Sequence, residues 1–227
     1  MLNSRNQLEE LKFSNFFRTL KDVRNLSIMR TLMNQLIENI KFKGRLLDIG
    51  GGENCNYRQM LKYANYTSVN IDQKIYPDFL IKVNDKIPIA DNSFETCLMF
   101  NVLEHIYDWD FIFCEVKRLL ISKGKLYIII PFLYPIHAAP NDYLRVTNSY
   151  IKKFLENNNF VKIKVYPISY GPFTNSQLVG YSHKSIKAFH SFISVIFDRI
   201  FRLLFLRKFI KYSESYPLFY FVEATLI

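Results

Sequence analysis

The sequence predicts an α/β fold with a mostly parallel sheet, and three patterns lead to that prediction. Short apolar runs rich in β-branched and aromatic residues recur between residues 45 and 168, as strands do. Helical patterns, with apolar residues three and four positions apart, separate several of these runs. The first run leads directly into three glycines, Gly50, Gly51 and Gly52. Strands that alternate with helices indicate a parallel sheet with helices on both faces.

The individual elements follow from the same patterns. The apolar runs predicted as strands are 45–50, 66–71, 79–83, 94–100, 125–130, 160–168 and 216–227. The stretches predicted as helices are 8–40, 56–64, 108–124, 148–160 and 185–212. We expect the third of these helices to end at Lys123-Gly124 and the fourth to begin at Thr147 or Asn148 as its N-cap.

This order of elements divides the chain into four segments. They are an N-terminal helical segment at 1–43, a core with the glycine turn at 44–182, a basic amphipathic helical insert at 183–212, and the final strand of the core sheet at 213–227. With 227 residues, 49% of them hydrophobic, the chain is long enough for one such core with an extension.

The composition predicts a cytoplasmic protein that attracts polyanions. The formal net charge is +10 and the pI is near 9.4. The three cysteines, Cys55, Cys97 and Cys114, have no metal-ligand spacing to each other or to a histidine, so we expect reduced thiols and no metal. The N-terminal residues lack the apolar core of a signal peptide, and no apolar run reaches the ~18 residues of a membrane span.

The glycine turn and an acid beyond the second strand predict a ligand site. In parallel α/β sheets, ligands bind beyond the carboxyl ends of the strands, and glycines let the backbone approach them closely. Asp72 follows the second strand, 20 residues after Gly52, where an acid accepts the hydroxyls of a ribose. A tight turn without a ligand and a helix cap are the structural alternatives for these two features. Their combination favours a nucleotide-like cofactor.

The glycine pattern distinguishes between cofactors. A dinucleotide fingerprint requires a third glycine where this chain has Cys55, whereas Asp48 lies two residues before the first glycine. This D-x-G-x-G pattern resembles motif I of the class I S-adenosylmethionine-dependent methyltransferases. Residues 86–131 resemble the central block of the type 11 methyltransferase-domain family, with its LPF-x-D-x-SFD and VLEH patterns. The matching residues are Ile87, Pro88, Ile89, Asp91, Ser93, Phe94, Glu95, Val102, Leu103, Glu104 and His105.

The resemblance implies S-adenosylmethionine as cofactor and a Rossmann-like class I methyltransferase fold. The sheet is then seven-stranded and mostly parallel, with the last strand antiparallel and at an edge. The residues implied to bind the cofactor are Asp48, Gly50, Gly51, Gly52, Asp72, Gln73, Asp85 and Asn101. Asp72 is assigned to the ribose, Gln73 and Asp85 to the adenine. Asn101 is expected near the sulfonium, and the glycine turn near the methionine moiety.

Two regions offer groups for the methyl acceptor, namely Glu104-His105 and the loop after the fifth strand. This loop resembles an H-x-x-P-x-D-Y-x-R-x-T variant that is often associated with cell-surface polysaccharide pathways. The matching residues are His137, Pro140, Asp142, Tyr143, Arg145 and Thr147. We expect catalytic roles for His137, His105 and Asp142, with His137 as the candidate base. Substrate contacts are expected from Tyr143, Arg145 and Glu104. The alternatives are an Asp142–Arg145 ion pair that orders the loop, packing of Tyr143, and a helix cap at His105.

The predicted function is O-methylation of a sugar or lipid-linked glycan by an S-adenosylmethionine-dependent methyltransferase. Methylation of a small metabolite or quinone is the alternative among enzymes, and a cofactor-binding protein without transferase activity is the alternative outside them. The chain has no Asn-Pro-Pro-Tyr-type motif and no Gly-Arg tract, so a nucleic-acid substrate is not favoured.

The insert has an unusual distribution of charge. Residues 184–211 contain seven Lys or Arg and one acid, Asp198. Their polar positions form a narrow stripe, consisting of Lys184, Lys187, Ser191, Ser194, Asp198 and Arg202. The broad apolar remainder has to be covered by the domain, by a second copy in a homodimer, or by an anionic membrane at its inner face. The sequence leaves these three alternatives open.

Overall fold

A computed structural model describes residues 15–62, 65–138, 140–178 and 184–227, with the backbone alone for 184–188. It contains a seven-stranded sheet in the order β3-β2-β1-β4-β5-β7-β6. The strands are β1 Arg45–Ile49, β2 Asn65–Asn70, β3 Phe79–Leu80, β4 Phe94–Phe100, β5 Leu120–Pro131, β6 Phe160–Ile168 and β7 Phe219–Leu226. Strands β1 to β5 are parallel to one another, so the predicted fold class is confirmed.

The last strand, β7, runs antiparallel to β5, as its cross-strand contacts show. Lys125 on β5 donates to Thr225 on β7 at 2.7 Å, and the Tyr127 ring stacks on Phe221, so residue numbers rise on β5 as they fall on β7. The prediction that β7 lies at an edge is wrong, because β7 is between β5 and β6. Its side chains are buried along almost the whole strand, as expected for an interior position.

The helices confirm the sequence predictions in part. They are α1 Phe16–Asp22, α2 Ile28–Glu38, α3 Trp109–Leu119, α4 Asn148–Asn157, α5 Pro172–Ser176, α6 Lys184–Leu204 and α7 Leu206–Ser215. Of the helix predicted at 8–40, residues 1–14 lie outside the described part, and the rest forms two helices. The second of them begins at Ser27, whose hydroxyl accepts the N–H of Arg30. Thr147 is the N-cap of α4.

Two helix predictions are wrong. Within its described residues, 56–64 forms only a three-residue 3₁₀ helix, Arg58–Met60, because the Tyr57 side chain turns inward and Leu61 is extended. The helix at 108–124 ends at Leu119, and β5 starts directly after it by pairing Leu120 with Phe94. Lys123, at a φ of 64°, lies in the irregularity that follows. What the sequence presented as a helix end is therefore a bulge within a strand.

The chain forms two compact units, and the larger contains residues 41–131, 136–166 and 220–227. In this unit α3 and α4 pack through aromatic rings, with Phe113 and Phe154 centroids 4.9 Å apart and Trp109 and Phe154 5.1 Å apart. Phe113 is fully buried. This aromatic cluster gives the larger unit its own core.

An arginine network in the same unit accounts for part of the family pattern before β4. Arg118 donates to Glu115, to Asp91 at 2.7 Å, and to the carbonyls of Ile87 and Ile89. Glu115 in turn accepts the N–H of Ile87 at 2.9 Å. This network fixes the loop that leads into β4.

Among the described residues, the smaller unit contains 15–40, 132–135, 167–178 and 184–219. Arg18 of α1 and Glu38 of α2 form a two-pronged ion pair at 2.5 and 2.7 Å. Asp198 of α6 accepts the N–H groups of Phe173 and Thr174 at the start of α5. Within the described residues, no helix has the length and hydropathy needed to span a bilayer.

Candidate functional site

The glycine turn follows β1 and is shaped by close contacts. Gly50 has a φ of +87°, and a Cβ at this residue would lie 2.1 Å from a methyl carbon of Val102. A Cβ at Gly51 would lie 2.2 Å from the Asp48 carboxylate, and one at Gly52 would lie 2.3 Å from the Ile75 carbonyl oxygen. All three positions therefore require glycine, one for its conformation and all for space.

Two tyrosines hold the carboxylate of Asp48 beneath the turn. The Tyr66 hydroxyl donates to it at 2.8 Å and the Tyr57 hydroxyl at 3.1 Å. Asp48 is fully buried, and this desolvation raises its pKa to about 7 despite the two hydrogen bonds. The Arg58 guanidinium lies over the Tyr66 ring at 3.7 Å. Asp48 thus acts as an anchor for the turn as well as a candidate cofactor contact.

The segment that follows β2 covers one side of the glycine turn. Glu53 donates its N–H to the Tyr76 carbonyl and Asn54 to the Ile75 carbonyl, both at 3.1 Å. The Asn54 side chain also donates to the Lys74 carbonyl at 3.2 Å. Asn54 therefore joins the turn to residues 74–76.

The other candidate cofactor residues lie at the carboxyl edge of the sheet or in the loop beyond β3. Asp72 is exposed and accepts the N–H of Lys74 at 2.9 Å, at the start of a 3₁₀ helix that contains Gln73. Asn101 follows β4 with a left-handed φ of 53°. Asp85 is exposed and accepts the N–H of Lys82 in its own turn. These contacts leave the exposed carboxylate of Asp72 available to a ligand.

A second group of side chains lies next to the glycine turn. The 3₁₀ helix Leu103–His105 follows Val102, the residue that Gly50 touches. The Trp109 indole donates to the Leu103 carbonyl at 2.9 Å and holds this segment in place. The turn after β1 and the turn after β4 are therefore neighbours in space.

The loop after β5 is tied to the Leu103–His105 segment by two hydrogen bonds. Tyr143 donates its N–H to the Glu104 carbonyl at 2.8 Å, and the His105 Nδ1 lies 2.5 Å from the Asn141 carbonyl oxygen. The His105 and His137 rings meet edge to face with centroids 5.0 Å apart. The structure thus brings together both regions that the sequence indicated for the methyl acceptor.

An ion pair orders this loop, as one of the sequence-based alternatives proposed. Arg145 donates to both oxygens of Asp142, at 2.5 and 2.7 Å. This hydrogen bonding lowers the pKa of Asp142 to about 2. Asp142 also accepts the backbone N–H of His137 at 2.9 Å and lies 3.4 Å from its Nδ1. Asp142 and Arg145 therefore position His137.

Glu104 differs from Asp48 in having no partner. Its side chain is fully buried, and neither carboxylate oxygen has a hydrogen-bond partner among the described residues. Burial raises the pKa of Glu104 to about 8. The His105 Nε2 lies 3.7 Å from its Oε1. Glu104, His105 and His137 together form what we call the acceptor cluster.

Sequence reasoning missed Tyr57, Tyr66 and Asn141. Tyr57 was assigned to a helix and Tyr66 to the interior of a strand, and the role of each depends on the hydroxyl reaching Asp48. Asn141 contributes a backbone carbonyl, which its side-chain type does not reveal. Tyr57 and Arg58, which follow the glycine turn in the sequence, were the only local sign of these contacts.

A separate apolar surface is exposed on α6 and α7. Its side chains are Phe197, Ile200, Leu203, Leu204, Phe205 and Leu206, of which Leu203 is 71% exposed. Two residues of the polar stripe face inward instead, since Ser191 and Asp198 are buried and Ser191 is hydrogen-bonded to Gln177. The alternative in which the domain covers this apolar face is therefore wrong for these six residues. We call them the α6–α7 surface.

Comparisons with known proteins place the fold and the domain. A sequence profile described as a methyltransferase domain matches residues 47–128. A possible histamine N-methyltransferase from Thermotoga maritima is similar in structure with a TM-score of 0.58 and 15% identity, over 96% of this chain and 98% of that one. The [4+2]-cyclase SpnF has a TM-score of 0.55 and 12% identity, over 89% of this chain and 84% of that one.

A third similar structure is larger. Haemonchus contortus phosphoethanolamine N-methyltransferase 2, in complex with phosphomonomethylethanolamine and S-adenosylhomocysteine, has a TM-score of 0.51 and 15% identity over 86% of this chain. The present chain spans about half of that protein, 52% of its length. A comparison with curated proteins found no match.

The sheet order and the profile match define the class of protein. The fold is that of the class I S-adenosylmethionine-dependent methyltransferases. At 15% identity, the similarity concerns the fold alone. Residues 47–128 match a methyltransferase-domain profile, in agreement with the type 11 family that the sequence patterns resemble. Over these residues the chain is similar to methyltransferases, and S-adenosylmethionine is the cofactor of this class.

Asp48 makes the stability of the protein depend on pH. Its pKa is raised from the ordinary 3.8 to about 7, so the native state retains a proton that the unfolded chain loses as pH rises above 4. The free energy of unfolding should therefore fall between pH 4 and 7, by up to ~4 kcal/mol from this group. Asp48→Asn should remove that share of the dependence, measured by urea unfolding across this range.

Asp110→Asn, at an exposed position of α3, is the matched control and should follow the wild-type curve. Parallel curves for wild type and Asp48→Asn would show that burial of Asp48 has no such effect.

Proposed function

We propose that the chain transfers the methyl group of S-adenosylmethionine to a hydroxyl of a sugar or lipid-linked glycan in cell-surface polysaccharide synthesis. The contact between Gly50 and Val102 carries this proposal, because it joins the cofactor turn to the segment that bears the acceptor cluster. Methyl transfer needs the acceptor next to the methionine end of the cofactor. The two halves of the site are adjacent in this way.

The residues at the glycine turn fit the cofactor. Three glycines keep side chains away from the backbone, and Asp72 has an exposed carboxylate at the end of the neighbouring strand for the ribose hydroxyls. Asn101, at the end of β4, borders the same edge of the sheet. In the proposal Gln73 flanks the adenine, and Asp85 is its candidate acid. The cofactor, when bound, supplies a methyl group activated on a sulfonium.

Binding of S-adenosylhomocysteine tests the cofactor half of the proposal. Isothermal titration should show one site in the wild type, and Asp72→Ala should weaken binding at least ~10-fold because two ribose hydrogen bonds are lost. Asp110→Ala is the matched control and should bind as the wild type does. A wild-type protein that binds neither S-adenosylhomocysteine nor S-adenosylmethionine would refute the assignment.

The acceptor cluster supplies the chemistry that a hydroxyl needs. As the acceptor oxygen forms its bond to the methyl carbon, the carbon–sulfur bond breaks, its electron pair stays on sulfur, and the hydroxyl proton passes to a base. His137 is the candidate base, with Asp142 and Arg145 holding its loop. His105 and Glu104 border the same space.

Two exposed aromatic rings beside the cluster favour a sugar acceptor. Tyr107 is 80% and Tyr143 48% exposed, and their ring centroids are 5.6 Å apart. Exposed tyrosine rings offer an apolar face for the C–H groups of a sugar and a hydroxyl for its polar edge. The resemblance of the loop to a variant found with polysaccharide pathways points to the same class of acceptor.

The acceptor class and the base are tested together. With a panel of nucleotide sugars, lipid-linked glycans, small amines and quinols, release of S-adenosylhomocysteine should be fastest with a glycan hydroxyl. With that acceptor, His137→Ala should lower turnover at least ~100-fold. His190→Ala, on α6, should retain wild-type turnover.

Other outcomes of this experiment have clear meanings. Turnover with a quinol or amine but no glycan would replace the proposed acceptor with a small metabolite. Cofactor binding without turnover on any acceptor would indicate a binding protein. Near-normal turnover of His137→Ala would exclude this residue as the base.

We further propose that the α6–α7 surface places the enzyme on an anionic membrane, where lipid-linked glycans are found. The six apolar side chains are exposed together, and Arg207, Lys208 and Lys211 are exposed on the same helix pair. A basic residue near an anionic leaflet contributes ~1 kcal/mol, and apolar side chains that enter the interface add to this. The charge favours a membrane over a second copy of the chain, which carries the same positive charge.

Vesicle flotation tests this location. The protein should float with vesicles of phosphatidylglycerol and phosphatidylcholine and much less with phosphatidylcholine alone. Leu203→Glu combined with Leu204→Glu should abolish flotation, whereas Val161→Glu, at an exposed position of β6, should not. Absence of flotation, together with a concentration-dependent dimer in light scattering, would instead identify the surface as a dimer interface.

A further inference from the structure

The acceptor cluster has the composition of a metal site. Glu104, His105 and His137 each offer one ligand atom, and these three atoms lie within 4.8 Å of one another. Ligands bound to one ion at ~2.1 Å are separated by about 3 to 4 Å. The Glu104 Oε1 and the His105 Nε2 are already 3.7 Å apart. Only a small contraction of the cluster is needed for all three to reach one ion.

The tautomer of His105 suits a metal ligand. Its Nδ1 lies 2.5 Å from the Asn141 carbonyl oxygen. A carbonyl oxygen only accepts hydrogen bonds, so Nδ1 carries a proton, and in the neutral ring Nε2 then has the lone pair. Histidines that bind metals commonly donate their second N–H to a carbonyl or carboxylate in this way.

The surroundings of His137 follow the same pattern. Its Nδ1 faces the Asp142 carboxylate at 3.4 Å, and Arg145 fixes that carboxylate from the other side. A carboxylate next to a histidine ligand orients the ring and strengthens it as a donor. The ion pair of Asp142 with Arg145 also neutralises Asp142, so its charge is not the one that a cation would compensate.

Glu104 supplies the independent reason to expect a ligand. Its side chain is fully buried, and both of its oxygens lack a hydrogen-bond partner among the described residues. A buried carboxylate without a partner is costly, and proteins rarely retain one unless something binds it. Neither Arg145 nor a histidine is within hydrogen-bond distance of it in the contacts of this cluster. A cation between Glu104 and the two histidines would give this carboxylate a partner.

We propose that Glu104, His105 and His137 bind a divalent transition-metal ion such as Zn²⁺ or Mn²⁺. Two imidazoles and one carboxylate are ligands for this class of ion, whereas Mg²⁺ and Ca²⁺ prefer oxygen ligands throughout. Three protein ligands leave coordination positions open, as in sites where the ion acts on a substrate. The spacing of these residues in the sequence gave no sign of the site, because His137 joins the other two only through the fold.

The proposed function gives the ion a role, and this step rests on it. A glycan hydroxyl in an open position would lose its proton to water, because the ion lowers the pKa of a bound hydroxyl. His137 would then act as a ligand instead of a base. The tyrosines at 107 and 143 would hold the sugar ring beside the ion.

Metal titration of the full chain tests the site without an activity assay. After treatment with a chelator, the wild type should bind one equivalent of Mn²⁺ or Zn²⁺ in isothermal titration. Glu104→Gln keeps the shape of the side chain and removes its charge, so it should weaken binding at least ~10-fold. His105→Ala is a second variant and should have a similar effect.

His190→Ala is the matched control, since it removes a histidine outside the cluster, and it should bind the ion as the wild type does. Each variant is also titrated with S-adenosylhomocysteine, and unchanged affinity shows that the fold and the cofactor half are intact. Failure of the metal site is thereby distinguished from failure of the proposed function. No binding of either ion by the wild type, or equal binding by Glu104→Gln and His105→Ala, would overturn the inference.

Discussion

The parallel pairing of β1 with β4 is the constraint on which the site depends. Its register places Ile49 beside Met99, so both strands end at the same level of the sheet. The glycine turn and the Leu103–His105 segment leave from these adjacent ends and meet at Gly50 and Val102. A shift of register would separate the two turns, and with them the cofactor half and the acceptor half.

The buried carboxyl groups of the two halves differ in their hydrogen bonding. Asp48 receives hydrogen bonds from two tyrosine hydroxyls, and its main effect is to hold the turn that the glycines make possible. Glu104 is equally buried but has no such partners. Polar groups that serve only the fold are normally satisfied. The hydrogen bonds of Asp48 therefore give it a structural role. The absence of such bonds at Glu104 supports the ligand proposed for it.

The fold alone does not determine the reaction. Structures with this arrangement include both a possible N-methyltransferase and a [4+2]-cyclase. Function resides in the groups that a chain adds at the carboxyl edge of the sheet. In this chain those groups are the acceptor cluster, with its loop ordered by Asp142 and Arg145, and the exposed rings of Tyr107 and Tyr143. They are local additions to a common scaffold.

The sequence by itself located the strands and the glycine turn, because apolar runs and glycine motifs are local features. Strands β4 and β6 begin and end where their patterns do. Tertiary structure alone decided the rest. Tyr57, predicted in a helix, lies outside one, and its hydroxyl contacts Asp48. Strand β5 begins at Leu120, which pairs with Phe94, and β7 lies in the interior of the sheet and not at its edge. Each of these outcomes depends on a partner distant in the chain, and local propensity carries no information about such a partner.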